Sequence, residues 1–307
     1  MRVLFMGTPD IAAGCLDALA EAHDVCCAVT RADKPKGRGG AVACSAVKEA
    51  AARRGIDVVQ PATLKDGKFL ETLERYAPDA VAVVAYGLIL PRYVLRYPKY
   101  GCINVHASLL PKYRGAAPIQ WCVAAGERVG GVTTMLMDEG LDTGDMLLKE
   151  QVEIPPDMTA GELHDRYCEI SRRLLPETLD GVEHNTIVPQ PQNHALHTYA
   201  PMLTKENTKI NWNDTPRGIV NFVRAMNPVP GAHTALNGKK LKIFTCRAAD
   251  AQTIDTPGTV IGGKDGLTVA CGGGAVTVTE LQIEGKKRMD AAAFLRGFPI
   301  TDGTILE

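Results

Sequence analysis

Residues 101–120 read GCINVHASLLPKYRGAAPIQ. Cys102, Ile103 and Val105 form an apolar, strand-like run interrupted by two polar side chains, Asn104 and His106. Side chains alternate faces along a strand, so Asn104 and His106 project from one side of the sheet. They stand where the strand gives out. Small Ala107 and Ser108 follow, then Leu109-Leu110-Pro111, basic Lys112-Tyr113-Arg114 and Gly115, before a helix can restart near Ala116. In an open α/β sheet the strand ends are where ligands bind. An amide and an imidazole aimed together at that edge can hold a reacting carbonyl.

Working outward, residues 2–6 form a short buried-strand run, Gly7-Thr8-Pro9-Asp10 a turn, and 11–22 an amphipathic helix. Further strand runs at 25–30, 56–59, 80–85, 131–138 and 145–154 alternate with helical patterns at 44–54, 66–76, 116–125 and 159–183. This alternation predicts a Rossmann-like α/β domain: a mostly parallel sheet with helices on both faces. A G-x-G-x-x-G fingerprint is absent, since Thr8 and Pro9 follow Gly7, so dinucleotide binding is not supported. Periodicity fades near the proline-rich stretch Val188-Pro189-Gln190-Pro191-Gln192-Asn193, which reads as a connector. Beyond it come one helix (215–226) and five short strand runs at 232–236, 240–248, 258–261, 266–270 and 275–283. Asn237-Gly238, Gly262-Gly263, Asp265-Gly266 and Gly272-Gly273-Gly274 punctuate them. That pattern predicts a small antiparallel β-barrel, OB-like. The expected division is a catalytic domain at 1–187, a linker at 188–206 and the barrel domain at 207–307.

The 307 residues are 45% hydrophobic and 22% charged, enough apolar side chain for a packed core. No run of about 18 apolar residues occurs, so no membrane span is expected. Met1-Arg2 leads straight into a strand without a signal-peptide layout. The nine cysteines are odd in number and include no C-x-x-C pair. They read as reduced thiols packed as small hydrophobes in a cytoplasmic protein, with neither a disulfide framework nor a metal site. The other histidines show no ligand spacing with Cys or Asp. Net charge is −1, with residues 205–307 at +3 and residues 1–204 at −4. A mildly basic C-terminal third permits a polyanion partner without requiring one.

On spacing alone Asn104 and His106 are as readily a turn former and a satisfied histidine as a functional pair; the strand end and the stiffened loop beside it favour function. Both can donate to a developing oxyanion. Asp142, in Gly-Leu-Asp-Thr-Gly, is on local sequence most often an Asx-turn residue. Placed beside His106 it would instead orient the ring and stabilise its charged form. The stretch Arg31-Ala-Asp-Lys-Pro-Lys-Gly-Arg-Gly-Gly40 cannot build a core and reads as an exposed loop. Such loops are usually only solvated. Following the second strand, however, this one stands at the working edge of a parallel sheet, where Lys34, Lys36 and above all Arg38 could meet phosphates. Lys239-Lys240 and Lys286-Lys287 flank turns of the barrel. Solvated charge is the commoner outcome for such pairs, and a track for a nucleic-acid backbone the functional one.

At these residues the sequence resembles the methionyl-tRNA formyltransferase family of folate-dependent formyltransferases. The resemblance covers essentially the whole chain. It rests on Gly7-Thr8-Pro9-Asp10, the glycine-flanked basic loop 34–39, Val84-Ala-Tyr-Gly-Leu-Ile-Leu-Pro91, Gly101–His106, Ser108–Gln120 and Met137-Asp-Glu-Gly-Leu-Asp-Thr-Gly-Asp145. It implies formyl transfer from 10-formyltetrahydrofolate to the α-amino group of initiator methionyl-tRNA. It further implies Asn104, His106 and Asp142 as the catalytic trio. Ser108, Leu109, Leu110 and Pro111 match the folate-contacting segment, with Val84, Tyr86, Gly87, Leu88 and Ile89 by the pterin. The Arg38 loop matches the element that reaches the acceptor stem. The expected partners are folate and initiator tRNA, with no metal and no membrane, and the chain is expected to be a monomer. Rival readings are transfer to glycinamide ribonucleotide or to a nucleotide-linked amino sugar, hydrolysis of the donor to formate, and a folate- or RNA-binding protein with a dead site.

Overall fold

Strand β1 (Arg2–Gly7) is buried from Val3 to Met6 on both faces, which is why it reads as an unbroken apolar run rather than an alternating one. It belongs to a seven-stranded sheet. A computed structural model describes residues 1–36, 41–251, 253–262 and 266–307, with backbone alone for residues 34–36, 41 and 42. After β1 come α1 (Asp10–Ala22), β2 (Asp24–Val29), β3 (Lys34–Lys36), β4 (Ala41–Ala43), α2 (Ala46–Arg54) and β5 (Val58–Val59). Then follow α3 (Phe69–Tyr76), β6 (Ala80–Val84), α4 (Arg92–Leu95), β7 (Cys102–His106), β8 (Arg114–Gly115) and α5 (Pro118–Ala124). The middle of the chain forms β9 (Val129–Leu136), β10 (Met146–Glu153), the long α6 (Ala160–Glu183) and β11 (Tyr199–Ala200).

The chain divides into two compact units: Met1–Gly115 with Gly131–Val152 and Asp165–Tyr199, and Ala116–Gly130 with Glu153–His164 and Ala200–Glu307. The first holds the sheet, in the order β10-β9-β7-β6-β1-β2-β5. Strands β5, β2, β1, β6 and β7 run parallel, and β9 runs antiparallel to β7. Leu4, Met6, Val29, Val81, Val83 and Cys102 pack with Phe69, Leu73 and Val94 in one core layer. The alternate residues Val3, Phe5, Ala82 and Ile103 are equally buried on the other face. The order turns back between β1 and β6, and there Thr8 Oγ1 donates to the Tyr86 carbonyl at 3.2 Å. That crevice is the topological switch point, where open α/β sheets bind ligands.

The stretch read as a loop at 31–40 is partly paired: β3 and β4 form an antiparallel hairpin, Lys34 opposite Ala43 and Lys36 opposite Ala41. Two three-residue strands leave too little pattern to detect, and Pro35 argues against a strand away from a sheet edge. The hairpin base is fixed by Lys48, whose ammonium donates to Asp33 and to Gln60 (3.0 Å). That donation holds the Asp33 carboxyl below its ordinary range.

In the second unit, α7 (Pro216–Ala225), capped by the Thr215 hydroxyl, precedes β12 (Ala232–Leu236) and β13 (Lys239–Ala249). Next come β14 (Val260–Gly262), β15 (Leu267–Cys271), β16 (Gly274–Ile283), β17 (Met289–Asp290) and α8 (Ala291–Gly297). The sheet order is β12-β13-β16-β15-β14, all antiparallel, with β17 on β16. This is the expected antiparallel β domain. Asn237 and Gly238 (φ 50° and 74°) turn β12 into β13, the left-handed pair a tight hairpin demands. Arg224 is buried, and its guanidinium donates to the carbonyls of Met158 (2.8 Å), Val123 (3.3 Å) and Pro155 (3.4 Å), tying α7 to two earlier segments. Burial holds that guanidinium below its ordinary range. At the C-terminal tail, Glu307 and Ala235 exchange backbone hydrogen bonds at the edge of β12.

All nine cysteines are free thiols, and burial pushes Cys15, Cys27, Cys102 and Cys246 up to about 12. Among the described residues no helix is long and apolar enough to cross a membrane.

Candidate active site

Asn104 and His106 are the third and fifth residues of β7, beside Val83 of β6 and Thr133 of β9 respectively. Period-two geometry places both on the face of Cys102, at the strand's C-terminal end. His106 is buried and Asn104 half-buried. His106 Nε2 lies 2.9 Å from the Tyr113 carbonyl oxygen. A carbonyl only accepts, so Nε2 carries the hydrogen and Nδ1 is the nitrogen left to face chemistry. Asp142 Oδ2 stands 3.7 Å from Nδ1, within ion-pair reach and too long for a hydrogen bond. The two side chains are 6% and 15% exposed, so their interaction is poorly screened.

Asp142 comes from the loop between β9 and β10. Its backbone is left-handed (φ 52°), and its Oδ2 accepts the Gly115 amide at 2.8 Å. The trio implied by resemblance is therefore brought together on one edge, with Asp142 neither solvated nor a simple turn former.

The segment after β7 is bound into a compact knot. Ser108 Oγ donates to Lys112 O (2.6 Å), Thr133 Oγ1 donates to Ser108 O (2.7 Å) and accepts from Leu110 N (3.2 Å), and Lys149 Nζ donates to Leu110 O (3.1 Å). Leu110 packs on Met135 and Met146. The Ser108 hydroxyl and Leu110 side chain are thus committed inside the loop. Much of the segment's backbone is committed as well, and among the described residues what remains toward a ligand is the Leu109 amide, the Pro111 carbonyl and the half-buried side chains of those two residues.

Val84 and Tyr86 are core residues, whereas Gly87 and Ile89 are exposed and Leu88 half-buried at the switch-point edge. The Tyr86 hydroxyl is buried without a partner among the described residues, and burial pushes it up to about 12. Lys34 and Lys36 lie on β3, and Arg38 lies outside the described residues.

In the second unit the basic pairs meet. Leu241 of β13 opposes Ile283 of β16, and Glu284 N donates to Lys240 O at 2.9 Å, so Lys239-Lys240 and Lys286-Lys287 share one end of the sheet. Lys205 and Lys242 press on Lys240, and Lys209 presses on His233, electrostatically. Sequence reading passed over Lys205 and Lys209 because they stand singly in a stretch without periodicity.

Gln192 was also missed; it donates to the carbonyls of Asp142 and Gly144 from inside the proline-rich connector. Away from this edge, His23, Asp180 and Glu183 bring metal-ligand atoms within 4.8 Å of one another at the opposite end of the strands. Glu183 there pairs with the Met1 ammonium at 3.1 Å.

Two family models match the chain: the formyl transferase family over residues 1–179 and the formyl transferase C-terminal domain over 202–299. The methionyl-tRNA formyltransferase of Geotalea uraniireducens (strain Rf4) is 49% identical over 308 residues, covering 100% of this chain and 98% of that protein. The chain belongs to the methionyl-tRNA formyltransferase family. Members of that family are formyl-transferring enzymes.

The fold recurs more widely than this family. The N-formyltransferase of Helicobacter canadensis, solved with folinic acid and dTDP-3-aminofucose, superposes with TM-score 0.66 at 20% identity, covering 91% of this chain and 98% of that one. HypX of Aquifex aeolicus in complex with tetrahydrofolic acid superposes with TM-score 0.63 at 19% identity, over all of this chain and 50% of that one.

Proposed function

We propose that this chain transfers the formyl group of 10-formyltetrahydrofolate to the α-amino group of initiator methionyl-tRNA, in the cytoplasm, for translation initiation. What carries the reading is the His106–Asp142 pair at the strand-end edge, with Asn104 two residues before His106 on the same face of β7, in a chain close to half identical, end to end, to methionyl-tRNA formyltransferases.

The neutral amine attacks the formyl carbon, and the carbonyl pair moves onto oxygen. The Asn104 amide, which has no side-chain hydrogen bond among the described residues, donates to that oxyanion. His106 Nδ1, facing Asp142, takes the proton released by the amine; the carboxylate steadies the charged ring while it is held. Collapse breaks the bond to N10 of the folate, and N10 recovers the proton. Asp142 needs no proton of its own in this scheme.

The 87–89 edge and the backbone of 108–111 receive the folate. The 207–307 domain, through the lysine-rich end of its sheet, and the basic 34–39 stretch with Arg38 receive the tRNA by its phosphates.

The test is a partition experiment. Labelled 10-formyltetrahydrofolate is supplied with charged initiator tRNA, with glycinamide ribonucleotide, with a dTDP-linked amino sugar, or alone. Label is expected on methionyl-tRNA only. Label on either small acceptor, or free formate at the same rate without acceptor, overturns the reading.

A further inference from the structure

Gln192 is 5% exposed and lies in the stretch between residues 179 and 202 that neither family match covers. Its partners fix its orientation. Oε1 accepts from Arg114 Nε (3.1 Å) and Nη2 (2.6 Å), while Nε2 donates to the carbonyls of Asp142 (2.9 Å) and Gly144 (2.8 Å). A guanidinium only donates and a carbonyl only accepts, so a flipped amide would lose all four bonds.

The segment around Gln192 is pinned on both sides. Gln190 and Met146 exchange backbone hydrogen bonds at 2.8 and 2.9 Å, and Arg114 N donates to Thr198 O at 2.9 Å. Residues 114 and 115 therefore hold Asp142 twice. The Gly115 amide takes the carboxylate, and the buried Arg114 guanidinium reaches the main chain of the turn through Gln192. An aspartate at φ 52° is in a conformation that persists only where the surroundings hold it.

We propose that Gln192, backed by Arg114, is a positioning residue for the transfer reaction: it holds the turn that presents the Asp142 carboxylate to His106. This rests on the reading of Asp142 as a member of the catalytic trio. Without the Gln192 amide two turn carbonyls lose their donor, and the Arg114 guanidinium loses the oxygen that takes two of its bonds. Asp142 is then free to leave the left-handed region and carry its carboxylate away from Nδ1. The connector thereby supplies a working part of the catalytic unit, and Gln192 lies outside the 1–179 match that holds the trio itself.

The test uses the full chain and single-turnover and steady-state formylation. Gln192→Ala is expected to lower kcat by up to about 10²-fold, the cost of a small misplacement of a catalytic group, with both KM values moving less than about threefold. Gln192→Glu keeps the acceptor for Arg114, which protects folding, and loses the donor to the turn. It is expected to lose kcat like Gln192→Ala, and wild-type kcat in a folded Gln192→Glu overturns the proposal.

The decisive readout is the double variant. In an Asp142→Ala background, Gln192→Ala is expected to change kcat less than about threefold, because residues acting as a unit are not additive. Multiplicative losses mean that Gln192 acts elsewhere and overturn the positioning role alone. An Asp142→Ala enzyme at wild-type kcat overturns the reading of the trio on which the proposal stands.

Discussion

His106 Nε2 lies 2.9 Å from the carbonyl oxygen of Tyr113, and that one hydrogen bond decides which ring nitrogen can take up a proton. With Nε2 committed, Nδ1 is the atom that faces Asp142. A glutamine at 106 can reach Tyr113 O with its amide but has no titrating nitrogen. His106→Gln is therefore expected to unfold near the wild-type temperature yet lose about 10²–10³ in kcat, the cost of removing a positioned catalytic group. Thermal unfolding and steady-state formylation check the two halves.

Thr133 is fully buried, and its hydroxyl joins Ser108 O and Leu110 N. Thr133→Val keeps the volume and leaves both backbone groups without that partner. Urea unfolding is expected to report a loss of about 1–3 kcal/mol, the penalty for orphaned buried polar groups. On the proposal that the 108–111 segment receives the folate, KM for the formyl donor should rise while KM for tRNA holds.

The lysine-rich end of the second unit's sheet carries a salt-dependent prediction. Lys240→Ala and Lys286→Ala are expected to weaken tRNA binding without altering folate binding. Removing one phosphate-neutralising charge should flatten the slope of log Kd against log salt by about 0.7–0.9. Arg38→Ala should raise KM for tRNA likewise. Filter binding across a salt series reads the slope; an unchanged slope would place these lysines away from the RNA.

Burial, then Lys240, holds the His233 imidazole below its ordinary value of 6.5. The native state thus resists a proton that the unfolded chain accepts. Stability is undiminished above that ordinary value and declines as pH falls below it, until the native ring also protonates. A bound polyanion reverses the preference, so tRNA affinity should rise as pH drops from 7.5 to 5.5. His233→Gln is expected to flatten both trends, measured by urea unfolding and by tRNA titration at the two pH values.

Legibility in the sequence followed the strength of the local pattern. β7 was readable because its apolar run, its two same-face polar residues and the strand end all lie within five positions. The barrel strands were readable because Asn237-Gly238 and the glycine clusters mark their turns. Asp142 was different. Its partner His106 lies 36 residues away, so local sequence could pose that pairing only as a condition, and the resemblance was what favoured it. Gln192 gave no signal, since a Pro-Gln-Pro-Gln run has no apolar period and its side chain works through long-range bonds to Arg114 and to the carbonyls of Asp142 and Gly144. Strands of two or three residues, such as β3, β8 and β17, hold too few side chains to show alternation at all.

If Asn104, His106 and Asp142 act together on a formyl carbonyl, loss of the Asn104 amide must slow the chemical step and leave binding alone. Wild type and Asn104→Ala are each saturated with charged initiator tRNA and labelled 10-formyltetrahydrofolate, and formation of formyl-methionyl-tRNA is followed in a single turnover. Product is expected from both, with the variant slower by about 10²–10³ and both substrates bound as tightly as before. Formylation by Asn104→Ala at the wild-type rate would contradict that joint action.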